Sequence, residues 1–103
     1  MAQFLFVYHG GGKNSPEEAE AAIAAWERWF TEIGSDVIDA GKPVGLSTTV
    51  MSDGSVVNNG GSNPVAGYGV FSAKSLDEAI SIARGCPLLD DGGSVEIAET
   101  FDP

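Results

Sequence analysis

The chain has 103 residues, fifteen of them acidic and five basic, giving a formal charge of −10, and 43% of them are hydrophobic. This length suits one domain spanning residues 1–103 with a single core, and the hydrophobic share is that of an ordinary globular protein. The acidity, without any Lys or Arg cluster, argues against nucleic acid and anionic membranes as partners and reads as a solubility feature. No apolar run approaches the ~20 residues that span a bilayer, so no membrane segment is expected. Cys86 is the only cysteine, which forbids an intrachain disulfide and fits a reducing compartment. The opening Gln3-Phe4-Leu5-Phe6-Val7-Tyr8 lacks the basic lead of a signal peptide. A soluble, cytoplasmic protein is the expectation.

Residues 4–9 predict a first strand, rich in aromatic and β-branched residues and stopped by Gly10-Gly11-Gly12. Both of its faces are largely apolar, so both need cover. Ser15-Pro16-Glu17-Glu18 is a capping box with proline at the first helical position, and its acidic residues suit the positive end of the helix. Ala19, Ala22, Ile23, Trp26, Phe30 and Ile33 follow at spacings of three and four, which predicts a helix with that stripe buried, ending near Gly34. Trp29 flanks the stripe and is free to reach a second surface. Val37, Ile38 and Ala40 read as a short extra turn or helix.

Ser47-Thr48-Thr49-Val50-Met51 predicts the second strand, turned by Asp53-Gly54 into a hairpin with Ser55-Val56-Val57. Residues 58–64 are a polar, glycine-rich loop. Tyr68-Gly69-Val70-Phe71-Ser72 predicts the third principal strand. Ser75-Leu76-Asp77-Glu78 is a second capping box, with Leu76, Ala79, Ile80 and Ala83 as the buried stripe. Gly85 is placed to close this helix with a positive φ, Pro87 blocks its continuation, and Gly92-Gly93 form a flexible lead into the last strand. There Val95 and Ile97 alternate with Ser94, Glu96 and Ala98.

The order is β-α-β-β-α-β with a hairpin elaboration at the second strand. It predicts an α+β, ferredoxin-like sandwich: an antiparallel sheet with two helices on one face. The other face carries apolar residues with no covering element in the chain. A homodimer pressing those faces together, a dimeric α/β-barrel type assembly, would bury them.

With these elements in place, the chain resembles the YCII-related (DGPF) domain family. The residues that carry the resemblance are the first strand, the capped Trp-containing helix, Asp39-Ala40-Gly41-Lys42-Pro43, Asn63-Pro64-Val65-Ala66-Gly67-Tyr68, and Cys86-Pro87 with Gly92-Gly93-Ser94-Val95-Glu96. The resemblance implies a dimeric ferredoxin-like protein, of a group largely bacterial and without an established reaction. Some of its members are suspected enzymes with a His-Asp pair in a pocket. The Asp-Gly-Pro-Phe stretch itself is absent here, and Asn58-Asn59-Gly60-Gly61-Ser62-Asn63-Pro64 occupies its region. His9 is the only histidine, and no aspartate matches the second member of that pair.

His9 is the one side chain that ordinarily titrates near neutrality, and it stands before three glycines that would let a ligand approach the backbone. It is a candidate acid-base group with a carboxylate partner in Glu96 or Asp53; the alternative is a strand-end histidine bonded to backbone. Glu96, opposite Val95 and Ile97, should point away from the helices, either into a cleft between subunits or onto its rim. Tyr68, Ser47 and Thr49 are candidate ligand-binding hydroxyls for the same cleft, and equally plain strand formers. Gly10-Gly11-Gly12-Lys13 lacks the spacing of a phosphate loop, and the acidic helix start beyond it would repel phosphate. Asp90-Asp91 reads as a solvated acidic turn without the spacing of a calcium loop. Cys86 reads as a structural thiol, and Trp26 and Trp29 as core and interface. No cofactor and no metal are expected. Two functions stand side by side: a small organic ligand bound at a dimer-interface cleft, with cofactor-free acid-base chemistry by His9 and Glu96, or a non-catalytic dimeric interaction or regulatory module.

Overall fold

The computed structural model describes residues 1–11, 15–58 and 60–103. Its elements are β1 (Ala2–His9), α1 (Pro16–Ile33), β2 (Val37–Asp39), β3 (Thr48–Val50), β4 (Val56–Asn58), β5 (Val65–Ala73), α2 (Leu76–Ala83) and β6 (Ser94–Glu99), with 3-10 turns at Gly34–Asp36 and Pro87–Asp91. The main sheet runs β2-β5-β1-β6, every pair antiparallel. α1 carries the chain from β1 past β5 to β2, and α2 carries it from β5 past β1 to β6. This is the interleaved β-α-β arrangement of a ferredoxin-like α+β fold. No described helix is long and apolar enough to cross a membrane.

Alternation along the two central strands makes the core. Phe4, Phe6 and Tyr8 of β1 and Gly69, Phe71 and Ala73 of β5 face the helices and are buried. Phe4, Phe6 and Phe71 are wholly enclosed, each worth about 1.5–3 kcal/mol of burial. Phe71 is the hub, with ring centroids 4.3 Å from Phe6 and 5.3 Å from Trp29. Ser15 and Ser75 cap their helices by accepting from the amides of Glu18 and Glu78, both at 3.2 Å. Both capping motifs therefore hold.

Three local readings of the sequence are corrected. First, the second strand of the sheet is Val37–Asp39, where a turn or helix is expected from the pattern, pairing with Phe71 and Val70. Three residues are too few to show a period-two pattern. Pairing with β5 lays them on the sheet edge, and the strand stops at a turn where Gly41 adopts φ +71° and donates to the Asp39 carboxylate at 2.8 Å. The strand at residues 47–51 pairs only within its hairpin, as β3 with β4, and every residue of both strands is exposed.

Second, the buried line of α1 runs through Trp29. Trp29 alone on this helix is fully buried, while Trp26 and Phe30 are half-buried and Ile23 is 60% exposed. The indole N–H of Trp29 donates to the Ile82 carbonyl of α2 at 3.2 Å, a bond that turns the helix toward α2 and away from the predicted stripe. On α2 itself only Ala79 and Ala83 of the expected stripe are buried, and Leu76 is half exposed.

Third, Gly85 does not close α2 with a positive φ; Arg84 caps the helix in helical geometry. Gly85 is small because the Trp29 indole lies against it: a Cβ there would stand 3.2 Å from Nε1. Nor are Gly92 and Gly93 a loose lead. Gly92 ends the Pro87–Asp91 turn in left-handed geometry, φ +79°, and a Cβ on Gly93 would fall 2.7 Å from the His9 carbonyl.

Candidate functional site

Strand pairing places His9 opposite Ser94 and Val7 opposite Glu96. His9 and Glu96 are thus diagonal neighbours on one face of the sheet. Val95 and Ile97, on either side of Glu96, pack on the core, so Glu96 projects from the face away from the helices. The imidazole Nε2 of His9 lies 2.9 Å from Glu96 Oε1. On its other side, Nδ1 faces the carbonyls of Asn63 and Pro64 at 3.1 and 3.2 Å. His9 is 8% exposed, whereas the Glu96 side chain is 69% exposed.

This geometry determines the protonation of the pair. Carbonyl and carboxylate oxygens only accept, so both ring nitrogens of His9 must donate, and the ring that satisfies both is the imidazolium. The Glu96 hydrogen bond raises the His9 pKa above its ordinary value; burial opposes this, and the two backbone carbonyls reinforce it. In this arrangement His9 donates protons and Glu96 keeps its second oxygen toward solvent. Asp53, the other carboxylate considered for His9, instead accepts from the Ser55 amide in the hairpin turn at 2.9 Å.

The glycines beside His9 serve packing. Gly10, at φ +77°, abuts Gly93, and Gly11, at φ +73°, presses on the Leu88 side chain. Gly12 and Lys13 lie outside the described residues.

No family model matches the chain, and no curated protein matches it. Among solved structures the chain is similar to 5-chloro-2-hydroxyhydroquinone dehydrochlorinase (TftG) from Burkholderia phenoliruptrix AC1100, in its complex with 2,5-dihydroxybenzoquinone. The TM-score is 0.60 over 97% of this chain and 95% of that one, at 15% identity. The two share a fold.

The structure distributes the remaining candidates differently. Tyr68 pairs with Val7, and it also lines a cavity on the helix side of the sheet. Its amide there bonds the Lys42 carbonyl at 3.3 Å. Thr49 is exposed on β3, and Ser47 lies just before that strand. Neither lines that cavity. The Ser47 hydroxyl crowds Gly60, which sits against Pro64, so Ser47 backs the loop whose carbonyls hold His9. Cys86 is buried, and burial pushes its thiol up to about 11, which leaves it a poor nucleophile.

Two parts of the site escape sequence reading. The carbonyls of Asn63 and Pro64 come from a loop more than fifty positions away, and backbone oxygens leave no signal in side-chain identity. The role of Gly93 was legible only as a glycine next to a strand.

Proposed function

We propose that this chain is a YCII-related protein, a small cytoplasmic homodimer that binds a small organic ligand over the His9–Glu96 face and moves a proton there without a cofactor. The single observation that carries this reading is the 2.9 Å contact between His9 and Glu96, with the far side of the ring already held. Glu96 would take and return the proton through its free oxygen, while the His9 imidazolium donates to its other oxygen and holds the carboxylate in place. The family placement draws on the sequence motifs and on the shared fold.

The dimer draws on two apolar surfaces. Leu5, Val7 and Val70 lie on the face of the sheet without helices. The β3–β4 hairpin exposes Val50, Met51, Val56 and Val57, all at 47% or more. A two-stranded hairpin is marginal alone, and such a surface invites a partner.

A second reading has an observation of its own. Because both ring nitrogens are occupied, His9 can serve as a latch between the 60–64 loop and β6, in a non-catalytic dimeric module. Solvent exchange separates the two. A panel of ketones and 2-oxo acids is incubated with the protein in D2O, and 1H NMR follows loss of the protons next to the carbonyl. Exchange that requires both His9 and Glu96, lost in H9Q and E96Q, supports acid-base chemistry. Exchange unchanged in E96Q, or absent across the panel while H9Q only loosens the fold, favours the latch.

A further inference from the structure

Beyond Pro43 the chain leaves the body of the protein. Pro43 bridges to Gly67 and the Val44 amide donates to the Ala66 carbonyl at 3.0 Å. After that, β3 and β4 pair with each other and with no strand of the main sheet. The return passes through Asn63 and Pro64, whose carbonyls hold His9. The hairpin is thus an arm rooted at the His9 end of the sheet. Val50 faces Val56 across its strands, both exposed, and Asp53 is the only charged residue between Ser47 and Asn58.

The dimensions of the molecule show how much of it lacks cover. The chain exposes 6908 Å2, against about 5,500 Å2 for a compact monomer of this mass. Its radius of gyration is 14.8 Å, against about 13 Å for a compact domain of this length, and it measures 42 × 42 × 18 Å. A slab that thin holds one sheet and one helix layer, with the second face of the sheet open. The excess surface is roughly 1,400 Å2 per chain. Taken from two chains at once it amounts to about 2,800 Å2, inside the roughly 2,000–5,000 Å2 that obligate homodimers bury.

The open face offers a matching surface. Strand register sets Leu5 opposite both Val70 and Ala98, an uncharged row across three strands, and the next row holds Val7 and Glu96. Arm and row are both apolar, so their contact brings no like charges together in a chain of charge −10. Each copy carries one arm and one open face. A two-fold axis lets each give its arm and receive the other's, which covers all four surfaces in one operation. Small-molecule sites enclose most of their ligand, whereas the Glu96 side chain, 69% exposed, has no wall in a single chain.

We propose that the β3–β4 arm of one copy lies across the open sheet face of a second, over the row of Leu5, Val70 and Ala98, and walls the cleft at that copy's Glu96. The inference rests on the homodimer of the proposed function and names what each copy supplies to the other's site. A single chain then holds half a site: His9 and Glu96 stand in place, and the cover comes from the second copy.

Spin labelling of the full chain tests the exchange. A nitroxide is attached at the arm tip through Ser55→Cys in a Cys86→Ala background, and this chain is mixed with 15N wild-type chain, so that only contacts between copies are read. Amide signals of Leu5, Val7, Val70 and Ala98 in the 15N chain should lose intensity and regain it when ascorbate reduces the label. Signals of α1 and α2 should keep theirs. Ser52→Cys gives a second, independent label position, and Val50→Asp in the labelled chain should abolish the loss. Sedimentation of the wild type under the same conditions should give a dimer. If it does, but the loss falls on the helices or only on the arm, or survives Val50→Asp, the placement of the arm is overturned and the homodimer stands. A monomeric wild type overturns both.

Discussion

Gly41 and Gly92 both adopt left-handed backbone, at φ +71° and +79°, yet the surroundings of the two differ. A Cβ on Gly92 would meet nothing within 4 Å, whereas on Gly41 it would overlap the Tyr68 carbonyl oxygen and come 3.1 Å from the Gly69 α-carbon. Alanine at either position pays the left-handed penalty of about 1–2 kcal/mol. Only at Gly41 must backbone also move, since neither neighbour is a flexible side chain; overpacking of this kind adds about 1–3 kcal/mol. Gly41→Ala should therefore be less stable than Gly92→Ala by about 1–3 kcal/mol. For a domain of this size each kcal/mol shifts the melting temperature by roughly 4–8 °C. Thermal unfolding followed by circular dichroism reads the difference directly. Equal melting temperatures for the two variants would show that the 40–43 segment does not lie against β5 as described, and would remove one wall of the cavity on the helix side of the sheet.

The His9–Glu96 pair carries a pH signature. The folded-state pKa of His9 is raised, so its stabilisation is fully present below the unfolded value of about 6.5 and is lost as pH rises through the folded value. The melting-temperature gap between wild type and H9Q should be widest at pH 6 and close on the alkaline side; with Glu96 mostly exposed, the pair is worth roughly 0.2–1 kcal/mol. A gap that widens with pH would contradict the assigned protonation. Trp29→Phe removes the N–H that bonds the Ile82 carbonyl and should cost about 0.5–1.5 kcal/mol in urea unfolding, the net worth of one hydrogen bond, because that carbonyl keeps the Gly85 amide at 3.1 Å. Val50→Asp places a charge on the apolar hairpin and should shift sedimentation from dimer to monomer at micromolar concentration without lowering secondary-structure content. A monomeric wild type under the same conditions would remove the dimer altogether. Cys86, with its thiol held near 11 by burial, should react with a disulfide reagent only as fast as the protein opens, so its rate should rise with urea.

What local chemistry could set, the chain displayed in advance. The two Ser-x-x-Glu caps place the helix starts because hydroxyl and carboxylate act within one turn, and Asp53-Gly54 places the hairpin turn because that geometry is confined to four residues. The alternation of Val95 and Ile97 with Glu96 told on which side of the sheet Glu96 stands, whereas β1, apolar on both faces, left open which of its faces meets the helices. Tertiary packing decided the rest. Trp29 rather than Ile23 became the buried line of α1 because its indole N–H found a carbonyl on the other helix. Residues 37–39 became the edge strand because β5 was there to pair with them. The raised pKa of His9 came from the Glu96 hydrogen bond across the sheet, reinforced by two carbonyls from a distant loop. Caps and alternation act over one turn or one strand and so are written in the residue order, whereas hydrogen-bond partners across the fold depend on which surfaces meet.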